Sequence, residues 1–276
     1  MGYVDAHVHV WTDDFERYPL ADGYTPEEMI PPTFTPEDIL RHAEPSGVDR
    51  VVLVQMSYYG TDNSYMLDTM KRYPGIFGGI AVIDESRPDV EDEMNRLAEQ
   101  GVRGFRIQPQ QSPAGNWLDT EGFHRMFAEA AKRHLMLCCL MGPEGIDSLA
   151  SMCGQYHHAP VVIDHLCRIG MDGSIRDSDV DALCRLCIFE NLKVKISAFY
   201  ALGQKRPPHD ELLPMIQRVC DAFDPRALMW GSDCPYQVQE ETYEDGLALV
   251  RDRVRFKSAD AREWVLGKTA ESYFFT

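Results

Sequence analysis

Residues 3–10 read YVDAHVHV, a largely apolar run that ends in two histidines two positions apart. In a strand, side chains at i and i+2 point the same way, so His7 and His9 share one side. Apart from Asp5 the run carries no charge, which is how a strand covered on both faces of a parallel sheet reads. An open, doubly wound sheet would follow its first strand with a glycine-rich turn; this chain has the histidine pair there instead.

Working outward, seven more short apolar runs follow: Val51–Gln55, Phe77–Ile83, Gly104–Gln108, Leu135–Met141, Val161–His165, Leu192–Phe199 and Leu228–Asp233. Amphipathic stretches separate them. Thr35-Pro36-Glu37-Asp38 supplies an N-cap, a proline at the first helical position and acids in the first turn, predicting a helix that stops near Gly47. Further helices are predicted over Pro88–Gly101, Glu121–Arg133, Gly145–Gln155, Ser178–Glu190, Asp210–Ala222, Tyr243–Arg253, Ser258–Leu266 and Thr269–Phe274. Eight strands alternating with helices predict an α/β fold, a (β/α)8 TIM barrel, as one domain over residues 1–276. The irregular stretch Thr12–Thr35 follows the first strand directly and is expected over the barrel mouth, as a lid, an oligomer contact or a surface Ω-loop.

The bulk numbers exclude several roles. There are 27 Lys and Arg against 44 Asp and Glu, a formal charge of -17. Such a field repels nucleic acid and acidic membranes, so the expected partner is a small molecule. No apolar run nears the ~20 residues of a membrane span. MGYVDAHVHVW lacks the basic start and apolar core of a signal peptide, so a cytoplasmic protein is expected. The eight cysteines are then expected as reduced thiols. A homodimer is the expected assembly.

In a parallel barrel the C-terminal ends of all strands open on one face. Reading these ends gives His7 and His9, Gln55, Asp84, Arg106 and Gln108, Met141, His165, Ser197 and Tyr200, and Asp233. The histidine pair can bind a divalent metal or offer donors to an oxyanion. His165 ends the sixth strand in VVIDHL (161–166). Asp233 ends the eighth in MWGSDCP (229–235), and a closed barrel sets that strand beside the first. A carboxylate there can ligate the same metal or take a proton from water.

HxH on strand one, histidine on strand six and Gly-Ser-Asp-x-Pro on strand eight resemble the amidohydrolase superfamily. VVLVQ (51–55), GVRGFRI (101–107), VVIDHL and MWGSDCPY (229–236) resemble its lactonase branch, which includes sugar lactonases and 2-pyrone-4,6-dicarboxylate lactonase. The resemblance covers nearly the whole chain in the right order. It departs from the metal-dependent pattern at two places. The fifth strand ends in Cys138-Cys139-Leu140-Met141 rather than histidine, and the fourth offers Arg106 rather than lysine or glutamate. A guanidinium cannot ligate a metal and methionine is a poor ligand for a hard cation. The resemblance thus implies at most one Zn²⁺, held by His7, His9 and Asp233 with His165 near, or no metal, as in some members of the branch.

The function expected is hydrolysis of a carboxylated or polyhydroxylated lactone. Asp233 activates water, while His7, His9 and His165, or a single metal, polarise the carbonyl. Arg106 anchors the substrate through a bidentate pair, unless it bridges to a mouth acid such as Asp84. Tyr58, Gln108, Arg168 and Tyr200 are further candidates for substrate contact. The alternatives are metal-dependent, non-oxidative decarboxylation of an aromatic acid, and a non-catalytic ligand-binding barrel. Cys184-x-x-Cys187 lies mid-helix beside Leu183 and Ile188 and reads as a buried helix face rather than a redox site.

Overall fold

The computed structural model describes residues 2–109, 117–239 and 241–276. Within them eight strands lie parallel and in chain order. They are β1 (Tyr3–Val8), β2 (Val48–Val54), β3 (Phe77–Ala81), β4 (Val102–Ile107), β5 (Met136–Cys139), β6 (Val161–Ile163), β7 (Leu192–Ile196) and β8 (Leu228–Trp230). Beyond β8 the chain returns to β1 through a parallel bridge between Val8 and Cys234. The Asp233 N–H donates to the His7 carbonyl at 2.8 Å, and the His9 N–H donates to the Cys234 carbonyl at 2.8 Å. These bonds complete the predicted TIM barrel and set Asp233 beside the histidine pair.

Most strands end earlier than their apolar runs suggest. Gln55, His165, Ser197 and Asp233 all lie past the last ladder residue. His165 and Asp233 have φ of 54° and 66°, a left-handed conformation no strand can continue. The polar residues therefore sit where the backbone has just turned out of the barrel wall.

A bulge in β1 sets the facing of its histidines. Asp5 pairs with Val51 and Val8 with Leu53, so three steps on β1 oppose two on β2. Val4 and Ala6 join the apolar cluster inside the barrel, whereas Val8 packs outward against the helices. The extra residue shifts the phase, so His7 and His9 continue the inner side above Ala6. Gly231 in turn lets the backbone after β8 pass close by: a Cβ there would lie 3.0 Å from His7 N. The inner cluster also holds Val52, Val54, Ile80, Met136, Cys138, Val162 and Met229. Ala270 and Phe274 of the C-terminal helix Thr269–Phe274 join that cluster.

Helices cover the outside. α1 (Pro36–Ala43) begins with the predicted cap: Thr35 accepts from the Asp38 N–H, and Asp38 accepts from the Thr35 N–H at 2.7 Å. α2 (Ser64–Arg72) was not anticipated, and its start at Asn63 has no side-chain cap to announce it. α3 (Val90–Glu99), α4 (Glu121–Arg133), α5 (Ile146–Gln155), α6 (Asp177–Arg185), α7 (Leu213–Ala222) and α8 (Tyr243–Ala248) match predicted helices within a few residues. One expectation fails at the end of α6. The chain tightens there into a 3-10 turn, Leu186–Ile188, which turns Cys187 and Ile188 outward, Ile188 to 75% exposure. Among the described residues no helix is long and apolar enough to cross a membrane.

The segment between β1 and α1 is tied down at several points. Trp11 and Phe34 form an antiparallel bridge with N–H to carbonyl bonds of 2.8 and 3.0 Å. The Trp11 indole N–H donates to the Pro31 carbonyl at 2.8 Å, and the Tyr58 hydroxyl donates to the Glu28 carbonyl at 3.0 Å.

Candidate active site

A cavity of about 920 Å³ opens at the C-terminal ends of the strands, lined by His9, Gln55, Arg106, Gln108, His165, Arg168, Tyr200 and Asp233 among others. The segment before α1 contributes Ala21, Asp22 and Tyr24 to its wall. The cavity thus unites most of the polar strand ends read from the sequence.

Asp233 is the centre of the site. Its Oδ1 lies 3.5 Å from His7 Nε2 and 3.4 Å from His9 Nε2. Its Oδ2 accepts the Tyr200 hydroxyl at 2.7 Å and lies 3.8 Å from His165 Nε2. Oδ1 is buried without a hydrogen bond. Burial alone would raise the Asp233 pKa, but His165, His9 and His7 around it hold the carboxyl well below its ordinary range. Asp233 is therefore ionised at neutral pH. Burial pushes the pKa values of His7 and His165 down, favouring the neutral form of each imidazole.

Hydrogen bonds on the far ring nitrogens fix what each histidine offers. His9 Nδ1 lies 2.8 Å from the Val54 carbonyl, which can only accept, so Nδ1 carries a proton. His165 Nδ1 meets the Ser197 hydroxyl at 2.9 Å. His7 Nδ1 meets the Lys195 ammonium at 3.2 Å, which can only donate. His7 is fully buried and is absent from the cavity lining. It backs Asp233 from below, so the expectation that it polarises a substrate carbonyl is corrected here.

A buried ion pair lies under this cluster. Lys195 Nζ sits 3.1 Å from Asp164 Oδ1, with both side chains at 0% exposure. Arg106 extends toward the same carboxylate, 3.8 Å from Asp164 Oδ2. Asp84 is not its partner: that residue is exposed and accepts from the Ser86 N–H and hydroxyl. Arg106 Nε carries no hydrogen bond. At the end of β6, residues 165–168 all have φ between 51° and 57°. Each such residue costs roughly 1–2 kcal/mol, and the turn sets His165 and Arg168 on one side, both lining the cavity.

A family model described as Amidohydrolase matches residues 4–275. The chain belongs to the amidohydrolase family. It is 26% identical to an L-fucono-1,5-lactonase of Burkholderia ambifaria, over 98% of this chain and 94% of that one. It is likewise 26% identical to a 4-sulfomuconolactone hydrolase of Rhizobium radiobacter, over 85% of this chain and 76% of that one. Among solved structures, an amidohydrolase from Burkholderia multivorans with bound zinc superposes with a TM-score of 0.82 at 19% identity, covering 99% of both chains.

In this amidohydrolase the donor set fits one divalent cation. His7, His9 and Asp233 each offer an atom within 4.8 Å of the others. Ligands about 2.1 Å from a tetrahedral zinc lie roughly 3.4 Å from one another, close to the 3.4 and 3.5 Å found between Asp233 Oδ1 and the two Nε2 atoms. With Nδ1 donating to Val54, His9 Nε2 can turn a lone pair to a cation held beside Asp233 Oδ1. The other possible triad, His7, Asp164 and His165, is weaker because Lys195 already occupies Asp164.

One expected contact and two strand-end residues lie elsewhere. Tyr58 is absent from the cavity lining and anchors the segment before α1 instead. Met141 is buried, and Leu140 lines the cavity in its place. Glu85, not Asp84, reaches the lining. Sequence reasoning missed Asp164 and Lys195 altogether, and it missed Asp5 as an anchor. Asp5 accepts from the Tyr243 hydroxyl at 2.8 Å, the Ser232 N–H at 2.9 Å and the His7 N–H at 3.1 Å, tying β1 to the loop after β8. Tyr243→Phe removes one of these donors from a buried carboxyl. It is expected to cost about 1–3 kcal/mol, read as a lower urea midpoint with an unchanged slope.

Proposed function

We propose that this chain hydrolyses a small lactone that carries a carboxylate or several hydroxyls, with water activated by Asp233. The observation that carries this reading is the Asp233 carboxylate in the cavity lining, ringed by His9, His165 and Tyr200, with Arg106 and Arg168 in the same lining. The similarity to a sugar lactonase and to a hydrolase named for a sulfonated lactone supports it.

In this scheme Asp233 Oδ2 takes a proton as water attacks the lactone carbonyl. Ser197 donating to His165 Nδ1 leaves a proton on His165 Nε2, aimed at the cavity, where it can meet the oxyanion that forms. The ring C–O bond then breaks, and the leaving alkoxide takes the proton back from Asp233. His9 Nε2, Asp233 Oδ1 and His7 Nε2 would hold a Zn²⁺ or similar ion, which as a Lewis acid would further polarise the carbonyl.

Arg106 holds the substrate carboxylate. A hydrogen bond to a charged group contributes about 1.5–3 kcal/mol, so Arg106→Met is expected to raise KM for a carboxylated lactone roughly 10- to 100-fold, with kcat changed much less. An unchanged KM with such a substrate removes Arg106 from this role. The reading as a whole is tested by following acid release from a panel of sugar and dicarboxylate lactones, with and without EDTA. Turnover on at least one lactone is expected. Loss with EDTA and recovery with zinc assigns the ion to the His7, His9 and Asp233 group. No turnover on any lactone overturns the reading.

A further inference from the structure

We propose that Lys195, buried inside the barrel, keeps the proton of His7 on Nε2 and thereby weakens the grip of His7, His9 and Asp233 on a divalent cation. The inference concerns the site assigned above. Its test reads a proton position and a binding constant rather than turnover, so the two readings can fail separately.

The argument starts from what an ammonium can do. It has three donors and no acceptor, so the 3.2 Å contact between Lys195 Nζ and His7 Nδ1 is a hydrogen bond only with Nδ1 accepting. A neutral imidazole has one proton, and it then lies on Nε2, pointing at Asp233 Oδ1 at 3.5 Å. A metal at Nε2 needs the opposite arrangement, with a lone pair on Nε2 and the proton on Nδ1. Ligating histidines usually secure it by donating the far N–H to a carboxylate.

Such a carboxylate is present. Asp164 Oδ1 lies 3.5 Å from His7 Nδ1. The same oxygen lies 3.1 Å from Lys195 Nζ, so the lysine competes with the ring for the carboxylate that would otherwise orient it. The ammonium charge, fully buried within reach of His7, opposes a second cation as well. Neither effect is available to Lys193, two residues earlier on β7, which donates to the Glu190 carbonyl at 2.6 Å. Removing the lysine's donors should let His7 turn its proton toward Asp164 and its lone pair toward the cation.

Two measurements test this. In zinc-free wild-type protein with 15N-labelled histidine, the His7 ring is identified by the signals lost in His7→Asn. Long-range 1H–15N correlations then show which nitrogen is protonated; Nε2 is expected, and Nδ1 overturns the proposal. In the second, zinc is titrated in competition with a chromophoric chelator. Orienting partners of a ligating histidine change metal affinity roughly 10- to 100-fold, so Lys195→Met is expected to bind zinc at least about tenfold more tightly than wild type. The gain should vanish in the Lys195→Met, His9→Ala double variant. Unchanged or weaker binding by folded Lys195→Met, or a gain that survives loss of His9, overturns the proposal. If Lys195→Met does not fold, the His7 proton in wild type decides alone.

Discussion

Asp233→Asn is expected to lower kcat on the best lactone by roughly 100- to 10,000-fold, the range a positioned general base contributes. The substitution keeps the shape of the side chain and an oxygen that can still accept from Tyr200, which in the native site is bonded at 2.7 Å. It removes the negative charge that makes this oxygen basic enough to take a proton from water. Because the backbone bond from residue 233 to the His7 carbonyl is unaffected, the barrel should close as before. Turnover would be measured beside the urea midpoint of the same preparation. Activity within tenfold of wild type, in a folded variant, would take the base role from Asp233.

The second large effect is on stability. Asp164→Ala should cost about 3–5 kcal/mol, because it leaves the fully buried Lys195 ammonium without its carboxylate. Replacing both partners, as Asp164→Leu with Lys195→Met, should recover most of the loss, since buried pairs exchange for apolar side chains at little net cost. The deficit has a pH signature. Burial opposes the Asp164 charge, yet Lys195, His7 and Arg106 hold its pKa well below the usual carboxylate range. A carboxylate lowered in this way stabilises the fold above its unfolded value and loses that contribution as pH falls through the folded one. Denaturation of the two proteins at pH 7 and near pH 3 should therefore show the gap narrowing in acid. A gap that is constant or widens with acidification would mean that the pair does not carry the effect.

The residues that were legible and those that were not differ in a physical way. His7, His9, His165 and Asp233 stood out because each follows an apolar run, and a parallel barrel gathers the strand ends on one face. Lys193 and Lys195 alternate with Val194 and Ile196 along β7, which ordinarily marks a strand with one face in water. In a closed barrel that face is the interior, so the alternation was itself the signal for a buried charge that needs a partner. Asp164 was hidden beside His165, since only the inward facing of β6 shows that it points down into the barrel. Tyr58 was misjudged because its position after β2 says nothing about the segment that packs on it. The exposed Cys187 and Ile188 followed from a helix that tightened one turn early, a change the sequence does not signal.

The bridge between Trp11 and Phe34 brings the two ends of the intervening segment together at the barrel rim, while Ala21, Asp22 and Tyr24 from its middle form part of the cavity wall. A stretch whose ends meet can be exchanged without altering the path of β1 or α1 on either side. It amounts to a cassette: grafting the corresponding stretch from a relative with another substrate would renew one side of the binding site while the catalytic floor stays in place.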